Sequence, residues 1–95
     1  MGSFEWDEEK NVANRKKHGI TFDEVVTIFD GPILTMQDMS HKSEVRELSF
    51  GLLGGIVEVC VVHTQRGDKT RIISARKATK AERKLFHDYL KKAYH

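Results

Sequence analysis

The sequence contains one cysteine, Cys60, and one proline, Pro32, in 95 residues. A lone cysteine cannot form an internal disulfide, which excludes a disulfide-stapled secreted scaffold. Cys60 stands inside the run IVEVCVV, where a free thiol behaves as a small buried hydrophobe. There is no CxxC pair, and none of the five histidines (His18, His41, His63, His87, His95) forms an i,i+4 pair enclosing a glutamate. No metal and no cofactor are therefore expected. No apolar stretch reaches the roughly 20 residues of a membrane-spanning helix. The opening MGSFEWDEEK lacks both the basic and the hydrophobic parts of a secretory signal, so the expected location is cytoplasmic. Aromatic residues make up only 8% of the chain. Trp6, Phe22, Phe29 and Phe50 are placed as core residues, not as a base-stacking platform. The glycines of GLLGG join two strands with no following lysine, which excludes a phosphate loop.

What remains is a chain of 39% apolar and 32% charged residues, long enough for a single domain, 1–95, with one core. Its net charge of +2 hides an asymmetry. Residues 1–65 carry six Lys and Arg against eleven Asp and Glu, whereas residues 66–95 carry ten against three. A basic final third on an otherwise acidic chain marks a local anion-binding surface or a lysine-rich solvated helix.

Turn and cap signals divide the chain. Ser3 to Trp6 reads as a short strand. Asp7 caps a helix that ends near His18 at Gly19, with Glu8 and Glu9 in its first turn and Arg15, Lys16, Lys17 and His18 in its last. Thr21 and Glu24 form a capping box, followed by apolar Val25, Ile28 and Phe29. After Asp30-Gly31-Pro32, a strand over 33–36 precedes a polar loop over 37–43. Residues 46–53 alternate, with Leu48, Phe50 and Leu52 on one side. Gly54-Gly55 is a two-residue hairpin turn, 56–64 a valine-rich central strand, Gly67-Asp68 a second turn and 69–76 the last strand. A second capping box, Thr79 to Glu82, starts a final helix with Leu85, Phe86, Tyr89 and Leu90 to bury. The expected fold is α+β, in the order β-α-α-β-β-β-β-α, an antiparallel meander with helices on one face.

A two-residue first turn pairs Leu53 with Ile56 and Phe50 with Val59. The second turn pairs Arg66 with Lys69 and Thr64 with Arg71. The uncovered face then collects Glu47, Ser49, Gly51, Glu58, Cys60, Val62, Thr64, Arg71, Ile73, Ala75 and Lys77. A one-residue slip in the second hairpin exchanges Arg71 and Lys77 for Ile72 and Arg76. Arginine presents a planar, permanently charged fork to phosphate oxygens, and the N–H groups at the start of the final helix add positive potential. Cleavage of a phosphodiester without metal needs a base, an acid and cations that stabilise charge on phosphorus. Glu58 or His63 is the candidate base and Arg71 or Arg76 the candidate stabiliser. Lys77 and Thr64 on the uncovered face, with Lys80 at the start of the final helix, are candidate RNA contacts. The second helix is too acidic to enter a DNA groove, which argues against a helix-turn-helix.

Two blocks, WDEEKNVANRKKHGITFDEV (6–25) and RIISARKATKAERKLF (71–86), resemble the BrnT family of bacterial type II toxins. The resemblance implies a RelE-like fold and a ribonuclease that inhibits translation. It implies a BrnA-type ribbon-helix-helix antitoxin, promoter DNA bound only through that antitoxin, and association into larger complexes, a homodimer among them. Position by position it points to Arg71, Arg76 and Lys77, then to Thr64 and Arg66. Family members often carry an acid between these last two; this chain has Gln65. The competing expectation is a non-catalytic module that binds nucleic acid or antitoxin.

Overall fold

In the computed structural model, residues 3–38 and 44–93 are described. Strand β1 (Ser3–Glu5) leads into α1 (Glu8–His18), then α2 (Phe22–Val25) with a 3₁₀ continuation over Val26–Asp30. Strands β2 (Leu34–Asp38), β3 (Arg46–Leu53), β4 (Val57–Arg66) and β5 (Lys69–Lys77) follow, and α3 (Lys80–Ala93) closes the described chain. The α+β class and the element order are those expected from sequence. The sheet runs β1-β5-β4-β3-β2, antiparallel except for β1, which lies parallel to β5. His41, in the expected 37–43 loop, lies outside the described residues, as do Tyr94 and His95.

The helix ends follow local chemistry. The Asp7 carboxylate accepts from the Glu9 amide at 2.9 Å and satisfies a free donor of the first turn of α1. Gly19, at φ 73°, ends that helix by donating its N–H to the Arg15 carbonyl. Both capping boxes form, Thr21 with Glu24 and Thr79 with Glu82.

The helices cover both faces of the sheet, which corrects the one-faced arrangement expected above. One face packs Val59, Val61, Ile72 and Ala75 under Ile20, Phe22, Val25 and Ile28 from the α1–α2 region. The other packs Phe50 and Cys60 under Phe86 of α3, with Leu34, Leu48, Leu52, Tyr89 and Leu90 around them. The buried residues of α1 are two asparagines, Asn11 and Asn14. Asn14 donates to the carbonyls of Ile20 and Ala75, each at 2.9 Å, and accepts the Ala75 amide at 3.2 Å. Strand β1 pairs only with Lys69 to Arg71. Asn14 therefore satisfies the β5 backbone further along, where β1 has ended.

Two registers decide which residues share a face. The first hairpin has a three-residue loop, Gly54-Gly55-Ile56, closed by the Ile56 amide on the Leu53 carbonyl at 3.2 Å. Leu53 thus pairs with Val57, and Phe50 with Cys60, one residue away from the expected pairing. The cause is β4 itself: apolar on both sides, it has no polar face to fix its register. Ser49 and Gly51 consequently face the α1–α2 layer. A Cβ on Gly51 would lie 2.8 Å from the Ile28 Cβ, so only glycine fits beneath that helix. The second hairpin has the expected pairing at its turn, Thr64 with Arg71 and Arg66 with Lys69. It slips by one residue between Val62 and His63, so that Cys60 pairs with Arg76 and Val59 with Lys77.

Candidate functional site

That slip places Arg71 and Arg76 on the same face. Without it, five residues of strand would turn them to opposite sides. Arg71 lies opposite Thr64, and Arg76 opposite Cys60, on the α3 face. Lys77, expected beside Arg71, instead lies opposite Val59 on the α1–α2 face, and Ala75, Ser49, Gly51 and Glu47 go with it. Only Glu58, Cys60, Val62, Thr64 and Arg71 of the expected open face remain together, and Arg76 joins them.

Both arginines are partly exposed and paired. The Arg71 guanidinium donates to Glu5 of β1 at 2.8 Å. Arg76 makes a two-pronged contact with Glu82, at 2.7 and 2.9 Å. Glu82 also accepts the Thr79 amide at 2.8 Å, so one carboxylate caps α3 and holds Arg76. The Arg76 hydrogen bonds hold the Glu82 carboxyl below its ordinary value. Five strand residues separate Arg71 and Arg76 by roughly 16 Å, too far for one phosphate and suited to two along a strand.

The remaining candidates scatter. Thr64 is buried, donating its hydroxyl to the Val45 carbonyl at 2.7 Å. Arg66, at the end of β4, and Lys80, opening α3, are exposed. Glu58 lies against α3, where Arg83 approaches at 3.5 Å and His87 contacts its carboxylate through Nε2. His63 is on the opposite face from the arginines, under the α1–α2 layer. Its Nε2 meets the Ser49 hydroxyl at 2.7 Å, Ser49 meets Thr35 at 2.8 Å, and its ring stands edge-on to Phe29. Burial lowers its pKa below the ordinary 6.5, against the pull of Glu47, so the ring favours its neutral form. Cys60 is fully buried, and burial pushes its thiol up to about 11. It is a core residue, not a nucleophile. Gln65 bonds to Gly67 and Thr70 across the second turn, on the side away from Arg71.

Sequence reasoning passed over Glu5, Arg83 and His87. The last two had a local signal: four residues apart in a helix, they share a side. Glu5 had none, because its contact with Arg71 depends on the parallel pairing of β1 with β5, 66 residues on. Among the described residues there is no group of three or more His, Cys, Asp and Glu able to hold a metal ion. No described helix is long and apolar enough to cross a membrane.

Comparison with known proteins bears on this arrangement. Among solved structures, the crystal structure of the Brucella abortus ribonuclease toxin BrnT is similar, with a TM-score of 0.64 and 23% sequence identity. The likeness covers 84% of this chain and 100% of that one, and at this identity it concerns the fold. No curated protein matches the sequence. A family model described as the ribonuclease toxin BrnT of type II toxin–antitoxin systems matches residues 6–82, from Trp6 through the arginine-bearing strand to Glu82. The chain belongs to this BrnT ribonuclease toxin family.

Proposed function

We propose that the chain is an endoribonuclease toxin that cleaves RNA without a metal and so inhibits translation in the cytoplasm. A BrnA-like ribbon-helix-helix antitoxin neutralises it, and promoter DNA is reached only through that antitoxin. The observation that carries this reading is the pair Arg71 and Arg76 on one face of the sheet, in a chain of the BrnT family.

The chemistry follows from what each group can do. Arg76 stabilises the charge that develops on the scissile phosphate, and Arg71 holds a neighbouring phosphate. Both guanidiniums must exchange a carboxylate partner for phosphate, and their partial exposure permits that. The free N–H groups at the start of α3 add to the potential beside Arg76. Thr64 supports the strand next to Arg71, while Arg66 and Lys80 extend the basic surface that RNA follows. Lys77 contributes from the edge of the opposite face. Glu58, on the same face, contacts Arg83 and His87 of α3 and takes part in proton transfer through them.

Expression in bacteria tests the reading. The unmutated chain should arrest growth and leave cleaved RNA, and Arg76→Ala should do neither. The purified chain should cleave RNA in the presence of EDTA. Undisturbed growth with intact RNA would refute the toxin reading. One observation favours a second reading, a non-catalytic module that binds RNA or antitoxin: Arg71 and Arg76 each already hold a carboxylate. Salt-dependent RNA binding without cleavage products would select it.

A further inference from the structure

We propose that His87 is a catalytic residue of this site, the proton donor to the leaving oxygen, and that Glu58 and Arg83 position it. The inference rests on the ribonuclease reading above. His87 lies beyond residues 6–82, the segment matched by the family model. The placement comes from four side chains. Glu58 of β4 is the more enclosed member of its pair with His87, its side chain 15% exposed against 55% for the imidazole. Glu58 contacts the imidazole through Nε2, which leaves Nδ1 on the accessible side. Arg83, one turn earlier on α3, closes the other side of Glu58 at 3.5 Å and donates to the Ala78 carbonyl at 3.2 Å. The carboxylate is thereby held from two directions and cannot easily turn to a substrate. It is built to orient an imidazole.

The second half of the placement is Arg76. Its partner Glu82 and His87 are five residues apart on α3, roughly 8 Å of helix rise. Arg76 pairs with Cys60, two residues along β4 from Glu58 on the same face. A phosphate held by Arg76 therefore lies beside the opening turns of α3, two β4 residues from Glu58, the residue that His87 contacts. Arg71, much farther along the strand, is too distant to share that phosphate. The charged groups around the imidazole are Glu58 from β4 and, on α3, Arg83 and Lys84 one turn before and Lys91 one turn after.

The step balances as a transesterification. The 2′-oxygen of the ribose bonds to phosphorus and its proton passes to water. The bond between phosphorus and the 5′-oxygen breaks, and the imidazolium gives its Nδ1 proton to that oxygen. The products are a 2′,3′-cyclic phosphate and a 5′-hydroxyl, with neutral His87 reprotonated from solvent.

The test is cleavage of an unstructured RNA oligonucleotide by the full chain, with RNA affinity and unfolding midpoint measured in parallel. His87→Ala should lower kcat by about 100-fold or more, the range for loss of a general acid. KM, RNA affinity and the unfolding midpoint should change little. The pH profile of kcat should lose one limb, and Glu58→Gln should lower kcat while leaving part of the rate. His87→Gln, which keeps a hydrogen bond to Glu58, should be as inactive as the alanine variant. Rescue by glutamine, or full activity in His87→Ala, would overturn the assignment and leave the ribonuclease reading intact. Failure of the unmutated chain to cleave would overturn both.

Discussion

The two faces of the sheet use polar side chains in different ways. Against α1 and α2, the polar groups are mostly neutral and turned inward. Asn14 bonds the β5 backbone, and His63, Ser49 and Thr35 bond one another across three strands. Among the described residues, no buried side-chain nitrogen or oxygen lacks a hydrogen-bond partner. Against α3, the polar groups are charged, partly exposed and joined in exchangeable pairs: Arg71 with Glu5, Arg76 with Glu82, and Glu58 with Arg83 and His87. Buried neutral hydrogen bonds fix one geometry, because breaking them leaves unpaired groups in a dry interior. Exposed ion pairs add little stability and can be traded for a charged ligand. One face therefore fixes its polar contacts, and the other carries charged pairs that a phosphate could displace, around the core under Phe86.

This contrast can be broken by mutation, and the largest effect belongs to the α3 face. Arg76→Ala should reduce RNA cleavage by about 100- to 1,000-fold, the range for removing one transition-state donor. The same change should alter stability by less than about 1 kcal/mol, because its ion pair is partly solvated. Denaturant unfolding beside a cleavage assay separates the two quantities. On the opposite face Asn14→Ala should do the reverse. Three hydrogen bonds disappear and the Ala75 amide and carbonyl lose a buried partner, for a loss of about 2–4 kcal/mol in urea unfolding. Any loss of cleavage should then follow the unfolded fraction. Gly51→Ala forces a methyl group against Ile28 and should cost about 1–3 kcal/mol, seen as a lower thermal midpoint.

The smallest effect is a pH dependence of stability, which both faces lose on acidification. His63 has a folded pKa below 6.5, so below that pH the unfolded chain binds the proton more tightly. Stability should decline as pH falls from about 6.5 toward the folded value, and His63→Gln should flatten that decline in unfolding curves. The Glu82 carboxyl, depressed from 4.5 by Arg76, contributes stability that is complete above that value. It is lost as pH falls through the folded pKa, so Arg76→Ala should weaken this second, more acid step.

The elements readable from sequence were those governed by neighbours in the chain. Asp7, Gly19 and the two capping boxes act within four residues, and each formed as expected. The Gly67-Asp68 turn set its own pairing. The first hairpin could not be read in the same way, because a glycine pair before Ile56 permits a two- or a three-residue loop. The valines of β4 were no guide, since both of its faces are covered. The apolar stripe of α3 showed that Phe86 would be buried, but not against which face. The irregularity at Val62 and His63 left no local mark, yet it is what aligns Arg71 with Arg76. Asn14 lies inside α1, of which only the capped ends were read from the sequence. Its bonds to Ala75, 61 residues away, also hold the arginine-bearing strand.

The most direct measurement is RNA cleavage by the Arg71→Ala, Arg76→Ala double variant beside the unmutated chain, at equal folded concentration and in EDTA. The division of the two faces predicts cleavage by the unmutated chain, none by the double variant, and nearly equal unfolding midpoints. Equal cleavage by both proteins would contradict it.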